Sequence, residues 1–184
     1  MNLPNALTLI RVLLIPVFVI FILDKRFEWA LVTFAVAGIT DGVDGMIARI
    51  THQRTELGAY LDPIADKLLV SAAFISLAIV EILPSWLAVI VITRDVFILL
   101  GILIMILINH RPKIEPSLLS KVTTTLQIAT VLLVLLARDL ATFYLFYTIA
   151  IYGTTTFTIL SGLHYIYTGT RVLNERMGTK GKPR

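Results

Sequence analysis

The sequence predicts an all-α, integral membrane protein with six transmembrane helices, and three observations carry that reading. Hydrophobic residues make up 57% of the 184 and charged residues 15%, against about 45–50% and about 25% in a soluble domain. A chain this short cannot hide so much apolar surface in one core. The apolar residues also fall into runs of bilayer-spanning length, separated by short polar or proline breaks. Cysteine is absent, which excludes disulfides, thiolate zinc sites and cysteine nucleophiles. The net charge of +4 fits cytosolic anchoring charges. No Arg/Lys stripe interleaved with aromatics points to nucleic acid.

The first span, 5–23, has no basic residue before it and no small-x-small site after it, so it reads as a retained helix. Arg11 lies inside it, and Asp24-Lys25-Arg26 ends it. The second, 28–50, stops before His52-Gln53-Arg54. The third, 60–82, holds Asp62-Pro63. A residue before proline is pushed from helical angles, so this helix starts at Pro63 with Asp62 as its N-cap, or is distorted there. Pro84 separates it from the fourth span, 85–108. The stretch from His110 to Pro116 precedes the fifth, 117–137, and Arg138-Asp139 precedes the sixth, 142–168. Thr154-Thr155-Thr156 in the sixth read as hydroxyls bonded back to the preceding turn. Residues 1–168 form one domain, and 169–184 a basic, partly disordered tail. Lys25, Arg26 and Arg138 lie on one side. Arg54, Arg111, Lys113 and the tail cations Arg171, Arg176, Lys180, Lys182 and Arg184 lie on the other. The positive-inside rule then places both termini in the cytosol, with the tail on anionic lipid of the inner (plasma) membrane.

Charges inside the spans carry the chemistry. A charge deep in a span costs about 2.5–3.5 kcal/mol on insertion scales and usually lines a functional cavity. Asp41 and Asp44 are spaced i, i+3 near the cytosolic end of the second span, and Asp62 and Asp66 i, i+4 near the start of the third. Each pair shares a helix face. A short loop makes the two spans antiparallel neighbours, so all four carboxylates converge at one depth. Their repulsion calls for cations, and hard divalent ions suit an all-oxygen ligand set. Gly45, Ala48, Gly58 and Ala59 would let a ligand approach the backbone, and Arg49 is placed to hold a diphosphate. An ion or metal transporter is the alternative class, although transporters place such acids nearer the midplane. Arg94 and Asp95 are adjacent, point about 100° apart, and need not neutralise each other. Lys67 reads as an anchor or a carboxylate partner.

Asp41-x-x-Asp44-Gly45-x-x-Ala48-Arg49, eight residues, then Gly58-x-x-x-Asp62-x-x-x-Asp66 resembles the signature of the CDP-alcohol phosphatidyltransferase family. The likeness extends to Asn5-Ala6-Leu7-Thr8, Arg11, Thr93-Arg94-Asp95 and Ser120-Lys121-Val122-Thr123-Thr124. The resemblance implies six membrane helices, a homodimer, and transfer of a phosphatidyl group from CDP-diacylglycerol to an alcohol with release of CMP. It implies that Asp41, Asp44, Asp62 and Asp66 hold two divalent ions (Mg²⁺ or Mn²⁺), with Asp66 also the general base. It assigns Asp44, Gly45, Ala48, Arg49 and Gly58 to the CDP part.

Arg94 and Lys121 are the expected acceptor contacts. Members that use glycerol 3-phosphate usually carry a second arginine eight residues after the first, and a second lysine. Here those positions are Ile102 and Thr123. Fewer cations favour a singly charged acceptor, phosphatidylglycerol, with glycerol 3-phosphate as the alternative. Arg11, Arg111 or Lys113 would change that balance by reaching the pocket.

Overall fold

The structure, a computed structural model, describes residues 3–51, 56–107, 118–137 and 144–179, with side chains described for 8–41, 64–101, 118–137 and 144–170. The described residues form α1 (Leu3–Leu23), α2 (Phe27–Thr51), α3 (Glu56–Ile79), α4 (Ser85–Leu107), α5 (Leu118–Leu136) and α6 (Tyr144–Thr179), with no strand among them. Each helix overlaps one expected span, and α3 starts four residues before and ends three residues before the expected 60–82. The shortest, α5, has 19 residues, or about 29 Å at the helical rise.

Two helix ends are closed by the same device. Lys25 N–H donates to the Ile22 carbonyl and Arg26 N–H to that of Phe21, with Lys25 at φ 58°. Glu81 N–H donates to Ala78 and Ile82 N–H to Leu77, with Glu81 at φ 61°. These are Schellman closures, in which a left-handed residue turns its N–H back onto orphan carbonyls. Tyr147 then donates its hydroxyl to the Ile82 carbonyl at 2.8 Å, tying the start of α6 to the α3–α4 turn. Tyr147→Phe should lower stability by about 0.5–1.5 kcal/mol, read as a reduced melting temperature in detergent; an unchanged value would show that this bond contributes nothing.

Two expectations are corrected here. The third helix begins at Glu56, so Asp62 and Pro63 lie within it, which excludes the start at Pro63 and leaves the other reading, a helix that continues through the proline. Proline removes one helical N–H donor, and such losses are tolerated in membrane helices; Pro16 sits inside α1 in the same way. The sixth helix runs past its expected end at 168 to Thr179, so the tail is helical over 169–179, and 180–184 lie outside the described residues. One glycine costs a helix only about 1 kcal/mol, and no proline occurs from 170 to 179.

Packing divides the bundle into two halves. Phe18 and Ile22 of α1, Phe34 of α2, Phe74 and Leu77 of α3, Leu87 and Val91 of α4, Val131 and Leu135 of α5 and Ile151 of α6 form one apolar core. Phe18 and Phe34 are tilted rings with centroids 5.6 Å apart. The other half buries Thr8, Arg11, Arg94, Asp95, Thr123, Gln127, Thr158 and Ser161. What joins the described parts of α2 and α3 is α1, which packs on both.

The outside is apolar on every helix: Leu13, Trp29, Ile39, Ile79, Val89, Leu136, Ile149 and Leu163 are all exposed. A soluble monomer seldom exposes apolar patches beyond a few hundred Å². Among the described residues one helix, Leu118–Leu136, is by itself long and apolar enough to cross a membrane.

Candidate active site

A cavity of about 420 Å³ opens where the two halves meet. Its polar wall is Asp41 from α2, Asp66 and Lys67 from α3, Arg94 and Asp95 from α4, and Ser120, Thr124 and Gln127 from α5. Phe34, Ala37, Leu69, Val70 and Ile128 make the rest apolar. Such a cavity accepts a ligand that is charged at one end and greasy at the other.

Arg11 organises the acidic wall. It is fully buried; its Nη2 lies 2.8 Å from Asp41 Oδ1 and its Nη1 2.7 Å from Asp66 Oδ1. One planar guanidinium thus grips carboxylates from two helices, a geometry for which arginine is suited. Asp41 and Asp66 therefore converge, as their spacing predicts. Their carboxylates remain 42% and 43% exposed toward the cavity. Asp44 lies in α2 and Asp62 in α3, as do Gly45, Ala48, Arg49 and Gly58, but the side chains of these residues are outside the described ones. Arg111, Lys113 and the basic residues from Lys180 on are also outside them. Among the described residues no group of three or more acidic, histidine or cysteine side chains gathers to hold a metal. The described pair nonetheless fits a divalent ion in kind, since carboxylate oxygens are hard donors and these two lie close enough to share one guanidinium.

A second polar cluster forms the opposite wall. Arg94 Nη1 donates to Asp95 Oδ1 at 2.7 Å, Nη2 to Ser120 at 2.6 Å and to Ser161 at 2.8 Å, and Nε to Ser161 at 3.3 Å. Its guanidinium carbon stands 5.9 Å from the Tyr165 ring centre, within cation–π range. Arg94 and Asp95, which their 100° separation left free not to pair, do pair, because the long arginine side chain folds back across that angle. Lys67 bonds the same Asp95 oxygen, so it is a carboxylate partner as expected. Lys121 is exposed on α5 and is not one of the residues lining the cavity, although Ser120 and Thr124 are.

Sequence reasoning missed what holds α5 to α6. Thr123 donates to the Phe157 carbonyl at 3.1 Å, Gln127 to Thr158 at 3.3 Å, and Thr130 and Thr154 share a 2.7 Å bond. Thr155 and Thr156 bond back to Ile151 and Tyr152 as expected, but Thr154 reaches across to α5 instead. Thr123 is fully buried against α6, so the position at which a second lysine is missing does not face the cavity here.

Residues 1–160 match the CDP-alcohol phosphatidyltransferase family. The chain is 36% identical to a CDP-diacylglycerol–glycerol-3-phosphate 3-phosphatidyltransferase of Bacillus subtilis, over 89% of this chain and 93% of that protein. It is 40% identical to a probable cardiolipin synthase (CMP-forming) of Drosophila melanogaster, over 71% of this chain and 46% of that protein. It is 34% identical to the human cardiolipin synthase (CMP-forming), over 76% and 50%. The chain thus spans about half the length of these cardiolipin synthases and nearly all of the Bacillus enzyme. With the family match running through α1 to α5 and into α6, this chain belongs to the CDP-alcohol phosphatidyltransferase family.

Proposed function

We propose that this protein is a six-span membrane enzyme that moves a phosphatidyl group from CDP-diacylglycerol to a glycerol-type alcohol and releases CMP. The observation that carries this reading is the convergence of Asp41 and Asp66 on Arg11, at the wall of a cavity polar on one side and apolar on the other. Asp41, Asp44, Asp62 and Asp66 would hold two divalent ions, Mg²⁺ or Mn²⁺. Bound there, the ions would stabilise charge on the phosphorus and on departing CMP. Asp44, Gly45, Ala48, Arg49 and Gly58 take the CDP part. Asp66 accepts the proton of the acceptor hydroxyl. The hydroxyl oxygen bonds to the phosphorus that carries diacylglycerol, and the bond from that phosphorus to the CMP oxygen breaks. Arg94 lies on the acceptor side of the cavity, with Lys121 on its exposed flank.

The polar half takes Thr8 and Arg11 from the first half of α1, Asp41 from the second half of α2, Thr123 and Gln127 from the first half of α5, and Arg94, Asp95 and Ser161 from near the middle of α4 and α6. Positive charges outside the spans orient this half, with both termini, toward the cytosol. The apolar flanks suit lipid of the inner membrane and a homodimer contact.

Phosphatidylglycerol is the first acceptor reading, from the pattern at Arg94, Ile102 and Lys121. Glycerol 3-phosphate is the second, and one observation favours it: Thr123 faces α6 rather than the pocket, so the lack of a lysine there does not bear on the charge of the acceptor. The test is a product assay on purified protein with Mn²⁺ or Mg²⁺, CDP-diacylglycerol, and the two acceptors in separate tubes. Cardiolipin from phosphatidylglycerol alone supports the first, and phosphatidylglycerophosphate alone the second. Lack of CMP release with either would refute the transferase reading.

A further inference from the structure

Lys67 enters the cavity from α3 one residue after Asp66, about 100° further round the helix. Its side chain is 28% exposed, and Asp95 is the described partner of its ammonium. An ammonium carries three N–H donors, so this bond leaves it able to hold a second anion. Arg94 is built differently. Four of its N–H donations go to Asp95, Ser120 and Ser161, and it is almost fully buried. It anchors Asp95, and Asp95 in turn holds Lys67 at the wall.

We infer that Lys67 binds the anionic group of the acceptor, a phosphate mono- or diester on a glycerol, and that Asp95 and Arg94 are its positioning residues. This inference rests on the phosphatidyl-transfer reading above. In a glycerol phosphate the reacting hydroxyl and the phosphate sit at opposite ends of a three-carbon chain. A cation adjoining the Asp66 base is placed to take the phosphate while the hydroxyl meets the carboxylate. Removing the ammonium does not orphan Asp95, which keeps Arg94 Nη1 at 2.7 Å, so the variant protein should fold.

The test titrates glycerol 3-phosphate and, separately, a short-chain phosphatidylglycerol into the purified full chain, with glycerol as the uncharged control. The arm that binds wild type identifies which source supplies the anion. Lys67→Gln should weaken that binding by about 10–100-fold, the loss of one charge-assisted bond. Lys67→Arg should restore most of it, and the response to glycerol should not change. In turnover the acceptor KM should rise while that for CDP-diacylglycerol stays the same. Equal affinity in wild type and Lys67→Gln, or no binding of either anion to wild type, overturns the inference. Wild-type CMP release, measured alongside, tests the transfer reading independently: it stands or falls there whichever way the titrations go.

Discussion

Asp66→Asn is expected to abolish phosphatidyl transfer and leave a folded protein. The Asp66 carboxylate faces the cavity and accepts from Arg11 Nη1 at 2.7 Å. An asparagine keeps an oxygen for that bond and nearly the same volume, so the contact between α1 and α3 survives. What it loses is the negative charge, and with it both the capacity to take a proton and most of the attraction for a cation. General-base catalysis alone contributes about 10²–10⁴-fold, and the proposed metal role adds to that. CMP release from CDP-diacylglycerol should therefore fall at least into that range, with a melting temperature close to wild type. A variant that still turns over at near the wild-type rate would remove Asp66 from the chemistry.

The second large effect concerns Arg11. Arg11→Met fills much the same space but removes the charge that Asp41 and Asp66 share. Breaking a fully buried ion pair costs about 3–5 kcal/mol. Here the arginine is buried while the carboxylates are 42% and 43% exposed, and solvent screening reduces the loss to about 2–3 kcal/mol. The two carboxylates would then repel each other across the α2–α3 gap. A divalent ion should relieve that repulsion, so the drop in melting temperature should be greater in EDTA than in Mn²⁺. Equal drops under both conditions would show that the two acids do not share a cation site.

The divide between sequence and structure follows the reach of each physical signal. The six helices, the polar breaks and the meeting of Asp41 with Asp66 depend on local quantities: apolar run length, the 3.6-residue period and the cost of a charge in lipid. Those can be read along the chain, and the family signature is written in the same local spacing. The helical start of α3 ahead of Pro63 and the continuation of α6 past 168 are not local in this sense, because membrane helices carry prolines and polar residues that would end a helix elsewhere. The number and approximate place of the helices were thus the sequence's own contribution, with the family and the approach of Asp41 to Asp66. Only the tertiary structure decided the partners: Arg11 between two acids 30 and 55 residues away, Arg94 turned onto Asp95 and Ser161, Lys67 at the cavity wall, and Thr123 turned to α6 while Thr124 faces the cavity. Each of these depends on how far a helix is rotated about its own axis. That rotation is set by the packing of side chains such as Phe18 and Phe34 in the shared core, and spacing along one chain segment carries no information about it.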